Sequence, residues 1–128
     1  INAGRGTEFQ FQRYGAPFLN SETMSFTYTP QANFGAKYPK HKDELCYGED
    51  LSNATVKNEM TLKWIIKAYE NATDKSLFFL TNGFTKHAGT NKLQKQIEVG
   101  LSEKEIKETW KEGLEAFKKI RKKYLIYD

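Results

Sequence analysis

Residues 102–127 read SEKEIKETWKEGLEAFKKIRKKYLIY, and this stretch sets how the chain must end. Ser102 and Glu105 stand at the S-x-x-E spacing of a capping box, in which each side chain satisfies a backbone N–H at a helix start. Ile106, Trp110, Leu114, Phe117, Ile120 and Tyr124 follow at intervals of 4, 4, 3, 3 and 4, the repeat that gathers apolar side chains on one helical face. The pattern predicts one long helix whose stripe packs on the rest of the domain. Trp110 is then mid-stripe and largely buried, and Leu125-Ile126-Tyr127 forms a docked tail. Lys118–Lys123 carries five basic residues in six. The helix macrodipole favours cations at this end, so the run reads as a helix terminus. A nucleic-acid surface would need a broader patch with interleaved aromatics.

Upstream, the helical period gives way to the period of strands. Asn91–Val99 reads as a short helix closed by Gly100, the usual C-terminal glycine. Asn82-Gly83 reads as a turn, and Leu77–Leu80 as a buried strand or hydrophobic anchor. Glu59–Asn71 reads as a helix through Leu62, Ile65, Ile66 and Tyr69, widened by Met60 and Trp64. Leu45–Leu51 reads as a strand with Leu45, Tyr47 and Leu51 on one side, weakened by Gly48. Met24–Thr29 alternates, with Met24, Phe26 and Tyr28 on one face, until Pro30 removes a ladder donor. Glu8–Gln12 alternates strictly and is expected as the first strand, broken by Gly15-Ala16-Pro17. Gln31–Glu44, with Gly35, Pro39 and His41, is a long loop of the length that often carries function. Strands early and helices late give an α+β fold: a small, mainly antiparallel sheet with helices packed on one face and a long C-terminal helix.

The 128 residues, at about 100–200 per domain, make a single domain, 1–128. The 9 Phe, 7 Tyr and 2 Trp argue against disorder, which is poor in aromatics. Net charge is +4, and Cys46 is the sole cysteine, so an intramolecular disulfide and a multi-cysteine metal cluster are excluded. No apolar run approaches the roughly 20 residues of a membrane helix. The chain opens on Ile1 and shows no signal peptide, which leads us to expect a processed or excised piece.

Few residues point to chemistry by themselves. Gly4-Arg5-Gly6-Thr7 lets backbone approach a ligand and presents one guanidinium, but it is not a P-loop. As a plain turn it would only carry a solvated arginine. His41 and His87 lie in Lys/Gly-rich segments and read as exposed, without the spacing of a metal pair. Glu8, Asp43, Glu44, Glu49 and Asp50 read as solvated carboxylates, with no pair placed across a sugar. Cys46 reads as a small packed residue. No catalytic residue, metal or cofactor follows from these motifs.

Their order is more informative. Gly4-Arg5-Gly6-Thr7, Tyr14-Gly15-Ala16-Pro17, Phe26-x-x-x-Pro30, Lys40-His41, Cys46-Tyr47-Gly48, Leu93–Gly100 and the run from Trp110 to Tyr127 together resemble the C-terminal domain of the NamZ-type peptidoglycan exo-β-N-acetylmuramidases, over essentially the whole chain. The resemblance implies an accessory domain that completes a substrate cleft. Its partner is a larger N-terminal Rossmann-like domain, absent from these residues, that holds the proposed catalytic carboxylate. It implies release of N-acetylmuramic acid from the non-reducing ends of peptidoglycan fragments, in the bacterial cell envelope, periplasmic or secreted. The chain alone is expected to be inactive. Carried over residue by residue, Arg5 and Thr7 at the domain junction and His41 of the Lys-His loop become substrate-binding positions. An arginine fork suits the lactyl carboxylate of muramic acid. The alternative is a stand-alone glycan- or protein-binding module without catalysis. Neither reading involves nucleic acid or a membrane span.

Overall fold

The computed structural model describes residues 1–55 and 58–127. Its residues group into two compact units, Ile1–Thr81 and Asn82–Asp128. The fold class is α+β, as the sequence predicts: β1 (Arg13–Ala16), β2 (Phe26–Tyr28) and β3 (Cys46–Asp50) precede α1 (Lys63–Glu70), α2 (Thr81–Ala88), α3 (Lys92–Glu98), α4 (Glu103–Glu108) and α5 (Lys111–Arg121).

In the first unit β3 is the central strand, antiparallel to β1 on one side and β2 on the other. The register pairs Tyr14 with Glu49, Gly15 with Gly48 and Ala16 with Tyr47. One face of the sheet packs on α1: Tyr14, Ala16, Leu19 and Met24 share a core with Ala68, Ala72 and Phe78, flanked by Tyr47, Leu51, Trp64, Ile65 and Tyr69. Tyr14 Oη donates to Glu49 Oε2, and Lys67 Nζ of α1 donates to Glu49 Oε1. The other face carries Arg13, Gly15, Cys46 and Gly48, with Phe26 and Tyr28 of β2. The Arg13 guanidinium lies 4.3 Å above the Phe9 ring and 5.2 Å from that of Phe26, and it approaches Asp50 across the strands. Met24 thus belongs to the α1 side, while Phe26 and Tyr28 turn to the opposite face.

Gly48 does not weaken β3; it permits it. A β-carbon there would lie 1.8 Å from the Tyr14 carbonyl oxygen and 2.7 Å from Gly15 Cα. Leu45, expected on one side with Tyr47 and Leu51, precedes the strand and is exposed. Cys46 is fully buried, and burial pushes its thiol up to about 11. Thiol labelling of the native chain should therefore be slow, becoming complete only on unfolding, because the thiolate is the reactive form. Fast native labelling would show that the β3 core is open.

Several expectations are corrected. Glu8–Gln12 is a run of turns, not a strand: Gln12 N–H bonds to Phe9 O, Phe11 N–H bonds to Ala3 O, and Phe11 has φ +62°. Its two apolar residues share no buried face: Phe9 stacks on Arg13 while Phe11 is exposed. Gly15-Ala16, expected to break the strand, lies inside β1. The helix expected from Glu59 begins at Lys63, and Met60 is exposed. Lys75–Leu77 is a 3-10 turn, and Phe78 and Phe79 anchor it while Leu77 and Leu80 face solvent. Asn82-Gly83 is helical within α2.

Glu49 is not a solvated carboxylate. Burial alone would raise its pKa, but Lys67 and Tyr14 outweigh this and hold the carboxyl below its ordinary 4.5. A depressed carboxyl contributes stability that is fully present above the unfolded value and is lost as pH falls through the folded one. Stability should drop as the pH falls below about 4.5, and Glu49→Gln should lower stability at pH 7 while flattening that drop. Urea midpoints across pH, with an unchanged acid limb in the variant, would contradict the assignment.

In the second unit, α3 ends in a Schellman motif. Gly100 N–H bonds to Ile97 O and Leu101 N–H to Gln96 O, as the glycine predicts. The Ser102–Glu105 capping box is formed in both directions. The long helix, however, is interrupted. Thr109 Oγ1 turns back to Ile106 O, a local bond that competes with the helical ladder, and α5 starts afresh after Trp110. Ile106 is fully buried and Trp110 only partly. Beyond it the stripe is exposed rather than packed: Leu114, Phe117, Ile120 and Tyr124 keep 50, 58, 56 and 77% of their surface. The tail Leu125-Ile126-Tyr127 is exposed as well. No helix of the described residues is long and apolar enough to cross a membrane.

Candidate functional site

Arg5, Thr7 and His41 lie in the first unit, in two segments tied together by one buried asparagine. Asn2 Oδ1 accepts from the Gly4 N–H at 2.7 Å and from Tyr28 Oη at 3.1 Å. Its Nδ2 donates to Arg5 O at 3.0 Å and to Lys40 O at 2.8 Å. A single side chain therefore ties the Gly-Arg-Gly turn to the Lys-His loop, and both to β2. No sequence signal marked Asn2. Two of its partners, Tyr28 and Lys40, lie 26 and 38 residues away, and an isolated asparagine has no period.

The glycines of the turn serve backbone geometry. Gly6 has φ +83°, and a β-carbon there would meet Gln31 O and Pro39 at 2.7 Å; Gln31 N–H bonds to Gly6 O at 2.9 Å. Thr7 Oγ1 donates to Gly4 O at 2.7 Å and accepts from the Phe9 N–H, so its hydroxyl is engaged in holding the turn. Arg5 is exposed, and its Nη2 donates to Gly35 O at 3.4 Å. Phe34, next to Gly35 in the chain, is exposed, as are Phe9 and Phe11 after the turn and Tyr38 farther along the loop.

His41 is placed differently from the sequence expectation. Its side chain is 14% exposed, at φ +58°, with its ring edge-to-face on Phe18 at 5.9 Å. Nδ1 lies 3.4 Å from Glu44 Oε1, and Nε2 is buried without a protein partner. Burial lowers its pKa, against the pull of Glu44, so the ring is neutral at pH 7. It lines a cleft of about 360 Å³ with Pro17, Phe18, Lys40, Glu44 and Leu77. Arg5 and Thr7 are not among the lining residues. The structure thus joins the Arg5 turn and the His41 loop through Asn2, but does not place the three side chains in one pocket. His87 lies in α2, bonded to Gly83 O, rather than in a loop.

The remaining carboxylates are held elsewhere. Asp50 accepts from Ser52 and Glu49 from Tyr14 and Lys67. Among the described residues no group of three or more His, Cys, Asp or Glu is placed to hold a metal ion.

The architecture defines a small α+β domain with a glycine-arginine turn stapled to a histidine loop. A family profile described as exo-beta-N-acetylmuramidase NamZ, C-terminal, matches residues 1–127, and the chain belongs to that family. It is 34% identical over 143 residues to the peptidoglycan beta-N-acetylmuramidase NamZ of Bacillus subtilis strain 168, across 99% of this chain and 34% of that protein. It is also similar to the crystal structure of a DUF1343 family protein from Bacteroides fragilis NCTC 9343, with a TM-score of 0.89 and 37% identity, over 100% of this chain and 36% of that one. The chain spans about a third of the length of these relatives.

Proposed function

We propose that residues 1–128 form the C-terminal, cleft-completing domain of a bacterial cell-wall glycosidase that releases N-acetylmuramic acid from the non-reducing ends of peptidoglycan fragments. In this reading a preceding Rossmann-like domain supplies the catalytic carboxylate, and the whole works in the envelope, periplasmic or secreted. The observation that carries it is the presentation of Arg5: a glycine-held turn that spends Thr7 on its own geometry leaves an exposed guanidinium, bonded to Gly35 O, as the group on offer. Arg5 binds the lactyl carboxylate, Thr7 sets the turn, and His41, neutral and with Nε2 unpartnered, receives a polar group of the sugar or its neighbour. A self-contained glycan-binding module would instead hold these groups in one closed aromatic groove, whereas Arg5 is not among the residues that line the cleft at His41.

The test is Arg5→Ala in the complete polypeptide. Stability should change by less than about 0.5 kcal/mol, as for a surface substitution. Affinity for a muramic-acid-containing fragment should fall roughly ten- to a hundredfold, the equivalent of a charged hydrogen bond. Arg5→Lys should restore little, because an ammonium cannot form the paired bonds of a guanidinium. Calorimetric titration showing parental affinity for Arg5→Ala would remove the arginine–carboxylate contact from the reading.

A further inference from the structure

We infer that the apolar face of α5 and the turn after it, centred on Leu114, Phe117, Ile120 and Tyr124, is the surface on which the preceding two thirds of the complete polypeptide docks. The inference rests on the reading that this chain works joined to such a domain, and it names the contact. Helix α5 has 11 residues and buries none of them. An isolated helix of that length is marginal in water, because most helical stability comes from packing an amphipathic face. Gly113 within the first turn weakens it further. Yet the face is ordered for packing: its apolar residues recur at intervals of 3, 3 and 4 and continue into Leu125, Ile126 and Tyr127, all exposed. A sequence that keeps a seam of this length apolar keeps it for a covering surface.

The occupant follows from the length of the relatives and from charge. The match is to a C-terminal region and spans only 34–36% of the relatives' chains, so in them a larger body of polypeptide precedes these residues. Lys118, Lys119, Arg121, Lys122 and Lys123 border the seam, and the described salt bridges give one of these, Lys118, a partner within α5, Glu115. The covering surface is therefore an apolar groove with an acidic rim.

Hydrogen exchange reads the contact directly. Amides of residues 111–127 should exchange at least about 100-fold more slowly in the complete polypeptide than in the 128-residue chain, as a docked segment does relative to a fraying one. Phe117→Asp with Ile120→Asp should abolish that difference. Both side chains are exposed here, so the double variant should leave slow Cys46 labelling intact, which reports that the sheet still folds. Equal exchange in the two forms overturns the inference. So does protection already present in the 128-residue chain, or a dimer of that chain lost in the double variant. Binding to phosphatidylglycerol vesicles by a complete polypeptide whose helix stays unprotected overturns it too. Hydrolysis of a muramic acid glycoside is measured on the same samples. Turnover without protection sinks the docking surface alone, and protection without turnover sinks the glycosidase reading alone.

Discussion

Gly48→Ala should leave the first unit without a cooperative unfolding transition, or reduce its stability by about 3 kcal/mol or more, the upper range for overpacking. The reason is the identity of the obstructing atoms. β3 is bonded on both edges, and position 48 faces Gly15 in β1 and Phe26 in β2. The methyl group would stand 1.8 Å from a carbonyl oxygen and 2.7 Å from an α-carbon of β1. Side chains can rotate away from such a contact; a hydrogen-bonded strand can move only by opening its ladder. Gly83→Ala is the control. Position 83 is helical and has no atom within 4 Å of the added carbon, so it should be neutral or stabilising by about 0.4–1 kcal/mol through the unfolded chain. Urea denaturation followed by circular dichroism separates the two. A Gly48→Ala chain within about 1 kcal/mol of the parent would mean that β1 and β3 do not pair in this register.

Gly48 also shows what the sequence could and could not carry. The capping box at Ser102, the glycine closing α3 and the strand ended by Pro30 were legible, because each is a local rule linking residues a few positions apart. The chain alone makes Gly15 a breaker and Gly48 a weak point in its strand, because a glycine's neighbour across a sheet is invisible in sequence; here the two glycines face each other, 33 positions apart. Arg13, with Phe9, Phe26 and Asp50 around it, and Asn2, between the Arg5 turn and Lys40, were missed for the same reason. The stripe from Ile106 to Tyr124 was read correctly as a pattern and wrongly as a contact. Periodicity specifies that a face is apolar, and only Ile106 of that face is fully buried here. At the candidate site, Arg5, Thr7 and His41 were reached through the order of motifs, whereas the burial of His41 and its pairing with Glu44 required the fold.

The purified 128-residue chain should not hydrolyse muramic acid glycosides at all, while the complete polypeptide should. Most glycosidases cleave with two carboxyl groups facing across the bond, about 5–5.5 Å apart for retention or about 6.5–9.5 Å for inversion, one of them kept protonated by a raised pKa. Among the described residues the shifted carboxyls all move the wrong way. Burial is outweighed at Glu49 by Lys67 and Tyr14, and hydrogen bonds from Ser52, Ser76 and Ser102 lower Asp50, Asp74 and Glu105. Each is thereby held ionised at pH 7 and cannot give a proton to a leaving oxygen. Glu44, beside the cleft, is paired to His41. His41 itself, neutral and lowered by burial, can accept a hydrogen bond or a proton, and the one carboxyl among the residues lining its cleft is that same Glu44. Half a cleft also forfeits orientation, which supplies a large part of any enzymic rate. A chromogenic muramic acid glycoside tests this in one plate: turnover by the 128-residue chain, lost in Glu8→Gln or Glu49→Gln, would place the catalysis in these residues and overturn the accessory role, whereas turnover confined to the complete polypeptide, and weakened there by Arg5→Ala, is the result expected of a domain that binds one side of the sugar and leaves the chemistry to its partner.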